Sequence, residues 1–204
     1  MEQYRAILEK YLPNNSVDPV MMWLQQYKTH LKITRGRTSK LGDYRPPQNG
    51  KGHQISVNHD LNKYAFLITL VHEFAHLVIW EKYHNKVKPH GREWKQTYRE
   101  MMSPFMENGT FPDDIRSVLR SYLSKSYASS SSDLQLSRTL QRYDKKTMLT
   151  LEQLGEGSIF QLYNGRTFIK GPLLRKRYRC TSLDNKRIYL ISPLAQIVFV
   201  DSGA

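Results

Sequence analysis

An α+β architecture is predicted by three features of the sequence. Helical spacing of apolar residues dominates residues 1–125, and two short strand-like segments interrupt it between residues 30 and 57. Beyond residue 157, short β-type runs follow one another with hairpin turns between them. Residues 126–156, Ser-rich at first and then polar, read as a linker and polar segment. The predicted organisation is a larger domain over 1–125 and a small basic β-rich module over 157–204.

Each element has its own signal. Tyr4, Ile7, Leu8, Tyr11 and Leu12 form one apolar stripe, and Pro13-Asn14-Asn15 ends that helix. Asp18-Pro19 reads as an N-cap and first-turn proline for a second helix, with Val20, Trp23, Leu24 and Tyr27 on one face. His30 to Thr34 and Gln54 to Val57 read as strands. The glycines and prolines between them mark turns or an irregular hairpin. Asp60 is placed to cap a long helix from Leu61 to about Lys82, apolar on nearly every side and therefore buried. Further helices run from Pro89-His90-Gly91 to about Met102 and from Phe111-Pro112-Asp113 to about Ser124. Strand-like runs follow at 159–163, 175–180, 186–191 and 196–200. Asn164-Gly165 and Asp184-Asn185 supply the turns.

Composition narrows the function classes. The most apolar run, residues 65–80, is broken by Thr69, His72, Glu73 and His76, so no bilayer span is expected. The N-terminal residues lead directly into an amphipathic helix and lack the order of a signal peptide. A single cysteine, Cys180, excludes an intramolecular disulfide, and a cytoplasmic location is expected. Thirty-one Lys and Arg against 18 Asp and Glu leave a net charge of +13, a surplus that points to a polyanionic partner such as nucleic acid.

The sharpest chemical signal is His72-Glu73-Phe74-Ala75-His76. On a helix, positions four apart lie one turn apart and about 40° apart around the axis, so both imidazoles can reach one ion. Glu73 then projects beside them, where a carboxylate can serve as general base without ligating the metal. Two histidines and a glutamate in an otherwise apolar helix are costly to bury unpaired, and a bound cation offsets that cost. Such a zinc site needs a third protein ligand and one open position. His84, His90, Glu93 and Glu100 are available. In a continuous helix His84 would lie roughly 12 Å beyond His76, too far to share the ion. A break before Pro89 leaves His90 free to fold back, with Glu93 or Glu100 as alternatives. Tyr83, Arg92 and Tyr98 are the available donors for a developing oxyanion. His30, His53 and His59 read as ordinary loop or strand residues.

His72 to Leu77, followed by Pro89-His90-Gly91-Arg92-Glu93-Trp94-Lys95, resembles the SprT/Spartan family of metalloproteases. The strand Ile55-Ser56-Val57-Asn58 ahead of the helix shares in the resemblance, which covers roughly residues 20 to 105. It implies a compact zincin-like domain, His90 as third zinc ligand and cleavage of proteins on DNA, including DNA–protein crosslinks. Many bacterial relatives end in a four-cysteine zinc ribbon. This chain departs from that pattern, so one zinc ion is expected, and a C-terminal module packed without metal.

That module carries a biased charge, with Arg175, Lys176, Arg177 and Arg179 in one run. Alternation in a strand points the three arginines to one face and Lys176 and Tyr178 to the other. A row of guanidiniums with Tyr163, Tyr178 and Tyr189 nearby suits phosphate contact and stacking on single-stranded bases. The expected partners are a protein substrate and DNA, single- or double-stranded, with no membrane and with nucleoid association as one setting. The competing reading is a catalytically weak scaffold that binds nucleic acid or acts as a transcription-associated factor.

Overall fold

The computed structural model describes residues 2–37, 40–125, 133–146 and 148–199. Its order is α1 (Glu2–Tyr11), a 3-10 turn (Asn14–Ser16), α2 (Val17–Gln26), β1 (His30–Thr34), β2 (Gly42–Arg45), β3 (Gln54–Asn58), α3 (Lys63–Tyr83), α4 (Arg92–Glu107), α5 (Asp113–Lys125), α6 (Leu134–Gln141), a 3-10 turn (Leu151–Gln153), and β4 (Ile159–Leu162), β5 (Thr167–Leu174), β6 (Arg177–Ser182), β7 (Ile188–Ile191) and β8 (Ile197–Phe199). The α+β class is as the sequence predicts. Two compact units divide the chain, residues 1–145 and 146–204.

In the first unit, α3 is the central element. Twelve of its 21 residues are buried, including Phe66, Leu67, Leu70, Val71, Phe74 and Leu77, because its sequence is apolar on nearly every side. Among the described residues it alone has the length and apolarity to cross a bilayer, and 67% of that stretch is buried inside the protein. The three strands form a sheet in the order β1-β3-β2, with β1 parallel and β2 antiparallel to β3. Leu31, Ile55 and Val57 alternate inward to the core that also contains the apolar residues of α3. Polar side chains alternate outward. This strand set aims β2 along the same helix that carries His72, Glu73 and His76.

Several elements depart from the sequence expectation for local reasons. Asn62, not Asp60, caps α3: its Oδ1 accepts from the N–H groups of Tyr64 at 3.1 Å and Ala65 at 3.0 Å, a cap worth about 1 kcal/mol. Ser16 precedes α2, and Pro19 lies inside its first turn. Helix α4 runs through Pro104 to Glu107; the residue four before the proline, Glu100, is exposed. The Ser-rich stretch at 126–132 lies outside the described residues. Beyond it the polar segment is not all linker, because α6 packs Leu136 and Leu140 into the first unit's core. Asn62 ties this end of the unit together through Leu140 O at 2.8 Å and Asp144 Oδ1 at 2.6 Å.

The second unit is a five-stranded antiparallel sheet in the order β7-β6-β5-β4-β8. Four strand-like runs were visible in the sequence; β5 is the fifth, masked by Gly171-Pro172 at a register shift against β6. Its small core holds Leu151, Phe160, Phe168, Cys180 and Ile197. Cys180 is buried there as an apolar residue.

Candidate metal centre

The three histidines converge from two elements. His72 and His76 are one turn apart on α3, and His90 reaches them from the turn that precedes α4. Their Nε2 atoms form a triangle: 3.2 Å between His72 and His76, 3.0 Å between His76 and His90, and 3.2 Å between His90 and His72. Three imidazole nitrogens this close cannot all be joined by hydrogen bonds, since a neutral ring carries one N–H. Lone pairs that converge instead suit a cation. Nitrogens about 2.05 Å from a tetrahedral zinc would stand about 3.3 Å from one another, close to what is seen. Of the third ligands considered, His90 joins the cluster, whereas His84, Glu93 and Glu100 do not.

The electrostatics fit a metal-binding donor set. Burial, reinforced by the neighbouring histidines, lowers His72 to about 3 and His76 to about 4. Burial, with Lys95 adding to it, lowers His90 as well. All three are therefore held as neutral imidazoles, the form that ligates metal.

Backbone geometry delivers His90. Pro89 and His90 occupy the centre of a turn closed by the Gly91 N–H donating to Lys88 O at 2.9 Å. His90 has φ of 55°, in the left-handed region that glycine favours at the third position of a type II turn. A Cβ on Gly91 would come within 2.9 Å of Lys88 O, so only glycine closes this turn without displacing the backbone. The strain at His90 leads to an expected result in metal-free protein. His90→Gly should be more stable than His90→Ala by up to about 1 kcal/mol, because glycine relieves the left-handed penalty. Urea unfolding of the two variants in chelator checks this; equal midpoints would remove the strain argument.

The wall behind the triad is aromatic. Trp94, fully buried, contacts all three rings at centroid distances of 4.6, 5.2 and 4.7 Å to His72, His76 and His90. Tyr98 stacks on Trp94 at 5.0 Å and lies 5.8 Å from His72. Of the three oxyanion donors considered, Tyr98 alone makes ring contact with the triad, but it does so as part of the buried wall. Helix α4 places both rings one turn apart after the His90 turn.

Glu73 is buried on the adjoining face of α3. Burial chiefly, then Asp43, raises its pKa to about 8, while Arg37, Lys40 and the Tyr44 backbone N–H act in the opposite direction. The Tyr44 contact comes from β2, which the sequence reading left inside an irregular hairpin. Gly42 on the same strand approaches so closely that a Cβ there would stand 2.5 Å from Glu73 Oε1. No spacing rule pointed to either residue. The weak signal was a Gly-x-Tyr alternation in a stretch crowded with turn residues.

Other expectations resolve plainly. His53 is a structural tie, bonded to Tyr44 Oη at 2.9 Å and to Glu81 Oε1 at 3.1 Å. In the second unit, Arg175 and Lys176 form the tip of the β5–β6 hairpin, and Arg177 and Arg179 are exposed on β6. Tyr178 alternates to the opposite face, where Lys170 Nζ stands 3.9 Å from its ring. Tyr189 is cross-strand from Cys180 and takes Arg166 at 4.3 Å. Tyr178 thus lies opposite Arg177 and Arg179, as alternation in the sequence predicts, and the register with Cys180 puts Tyr189 on Tyr178's face as well, away from those arginines.

No curated protein and no solved structure matches the chain. The SprT-like family profile matches residues 2–117, more than half of the chain, and spans the whole site. The residues and the match agree: this chain belongs to the SprT-like family and carries its metalloprotease-like domain.

Proposed function

We propose that this chain is a zinc-dependent endopeptidase that cleaves proteins held on DNA, crosslinked ones included. The observation that carries the catalytic part is the convergence of His72, His76 and His90 Nε2 with the Glu73 carboxyl on the adjoining helix face. His72, His76 and His90 would hold one zinc ion. When bound there, zinc lowers the pKa of water and polarises a carbonyl. The charge of a bound cation would oppose the burial that raises Glu73 and favour its carboxylate form, in which Glu73 is the group in place to accept a proton and return it to the leaving amine. The Tyr44 N–H orients that carboxylate, and Trp94 and Tyr98 exclude water from behind the imidazoles.

The DNA part rests on the net charge of +13, on the exposed Arg175, Lys176, Arg177 and Arg179, and on the family resemblance. These four residues ride on a hairpin that suits phosphate contact without stacking.

His90→Ala is expected to lower zinc affinity at least tenfold and to remove cleavage, because two helical histidines alone leave the ion without its third protein ligand. Zinc content after dialysis and cleavage of a DNA-bound protein, with and without DNA, measure both. Full zinc retention in His90→Ala would remove His90 from the ligand set. DNA-independent cleavage would leave a peptidase and discard the DNA part.

A further inference from the structure

A second charged surface lies in the first unit, away from the histidines. The outward face of the sheet β1-β3-β2 forms a cavity of about 550 Å³ that includes neither Glu73 nor any of the three histidine ligands. Alternation creates it. Where Leu31, Ile55 and Val57 point to the core, Lys32, Ser56 and Arg45 point the other way. Five cations line it, Lys28, Lys32, Arg37, Arg45 and Lys51, against one carboxylate, Asp43.

That carboxylate is already engaged. Asp43 pairs with Lys40 Nζ at 2.8 Å and with Arg45 Nε at 3.0 Å. Among the described residues, Lys28, Lys32, Lys51 and Arg37 have no carboxylate within ion-pair distance. Arg37 is held by neutral acceptors instead, donating through Nε to Asn58 Oδ1 at 2.8 Å and through Nη1 to Ser56 Oγ at 3.2 Å. Its remaining Nη2 is buried with no hydrogen-bond partner among the described residues. A guanidinium fixed by neutral acceptors leaves its charge unneutralised beside the cavity, which favours an anion there. Lys28 adds a further sign. It follows α2 with φ of 46°, where glycine is favoured, so a cation is kept at a backbone cost.

We propose that this sheet face binds the phosphodiester backbone of a nucleic acid. It runs lengthwise: Lys28 and Lys51 stand at one end of β1 and β3, and Lys32 and Arg37 stand toward the other. Gln54 and Ser56 offer hydrogen bonds along the floor, which suits a linear polyanion. None of the exposed large hydrophobic side chains falls within residues 28–56, so the face has no apolar insertion for a lipid surface. Among the lining residues the exposed imidazole of His30 is the one ring open to a base, and the five cations make the backbone phosphates the main contact. Asp43 and Arg45 belong to β2, the strand whose other face touches Glu73 through Gly42. The inference rests on the nucleic-acid reading of the charge given above and adds a site distinct from the hairpin in the second unit.

The test uses the full chain and a labelled 20-nucleotide oligo-dT in fluorescence anisotropy across a salt series. The variant Lys28→Gln/Lys32→Gln/Lys51→Gln is compared with Arg175→Gln/Lys176→Gln/Arg177→Gln/Arg179→Gln. Loss of three phosphate contacts should weaken binding at least tenfold near physiological salt. It should also make the log–log salt slope shallower by about two, at about 0.7 per contact on a single strand. In unaltered protein, the same oligo-dT should protect Lys28, Lys32 and Lys51 from an amine-acylating reagent while exposed Lys10 stays reactive. That footprint decides the matter even for a variant that folds poorly. Unchanged affinity and slope in the lysine variant, or no protection of its three lysines, would overturn the site while leaving the hairpin reading intact. No binding by the unaltered chain would overturn both, and cleavage of DNA-free protein would still report separately on the protease.

Discussion

Glu73→Gln is expected to lower peptide-bond cleavage by about 10²–10⁴-fold with zinc content unchanged, the range for loss of a general base. Glutamine fills the same volume and has nearly the same helix propensity, so α3 and its two histidines keep their places. The amide cannot accept the proton that the carboxylate accepts. At 1.36 kcal/mol per tenfold, the loss corresponds to about 3–5 kcal/mol of transition-state stabilisation. Turnover and zinc content on the same preparation check it. Cleavage within tenfold of wild type would remove Glu73 from the reaction. If the unaltered, zinc-loaded chain cleaves nothing while oligonucleotide binding survives the substitution, the scaffold reading replaces the protease.

The same helix shows how far the sequence carries. Positions 72, 73 and 76 were legible because helical periodicity fixes their relative directions without any tertiary information. The burial of α3 was legible because its apolar residues leave no polar face. His90 was harder. It lies fourteen positions beyond His76, and only a turn with a strained φ at His90 and a glycine at 91 brings its ring back to the triangle. Spacing left Glu93 and Glu100 open, and the resemblance favoured His90. What stayed illegible depends on contacts between elements. Gly42-Asp43-Tyr44-Arg45 has too little β-propensity and too many turn residues around it to announce a strand, yet pairing with Val57, Ser56, Ile55 and Gln54 makes it one. Helix α6 is short and half polar, and it is held by packing of Leu136 and Leu140 rather than by propensity. In the second unit, the direction of the arginines relative to Tyr178 followed from alternation, but Tyr189 could be placed only once the β6–β7 register was known.

Gly42→Ala is expected to lower turnover by at least about 10²-fold without loss of zinc, an effect that no spacing or motif in the chain announces. The glycine is not there for its dihedral freedom, since its φ lies outside the left-handed region. It is there for space. An added Cβ would stand 2.5 Å from Glu73 Oε1, 2.8 Å from Glu73 Cγ and 2.8 Å from Thr69 Cγ2. Neither neighbour can yield easily. Thr69 is 5% exposed and its Oγ1 is bonded to Ala65 O at 2.8 Å, while Glu73 is 7% exposed and takes the Tyr44 N–H. The crowding is relieved either by rotation of Glu73 away from Tyr44 or by displacement of β2 from α3. Overpacking of this kind costs about 1–3 kcal/mol of stability. Both routes part the carboxylate from the Tyr44 N–H and leave the histidines in place, so kcat should fall while zinc content holds. A double-mutant cycle separates this from general damage. If Gly42 acts through Glu73, adding Gly42→Ala to Glu73→Gln should cost much less activity than adding it to wild type, because the group it positions is already gone. An undiminished second loss would show that Gly42 supports the site by another path, and that the close approach of β2 to Glu73 is packing alone.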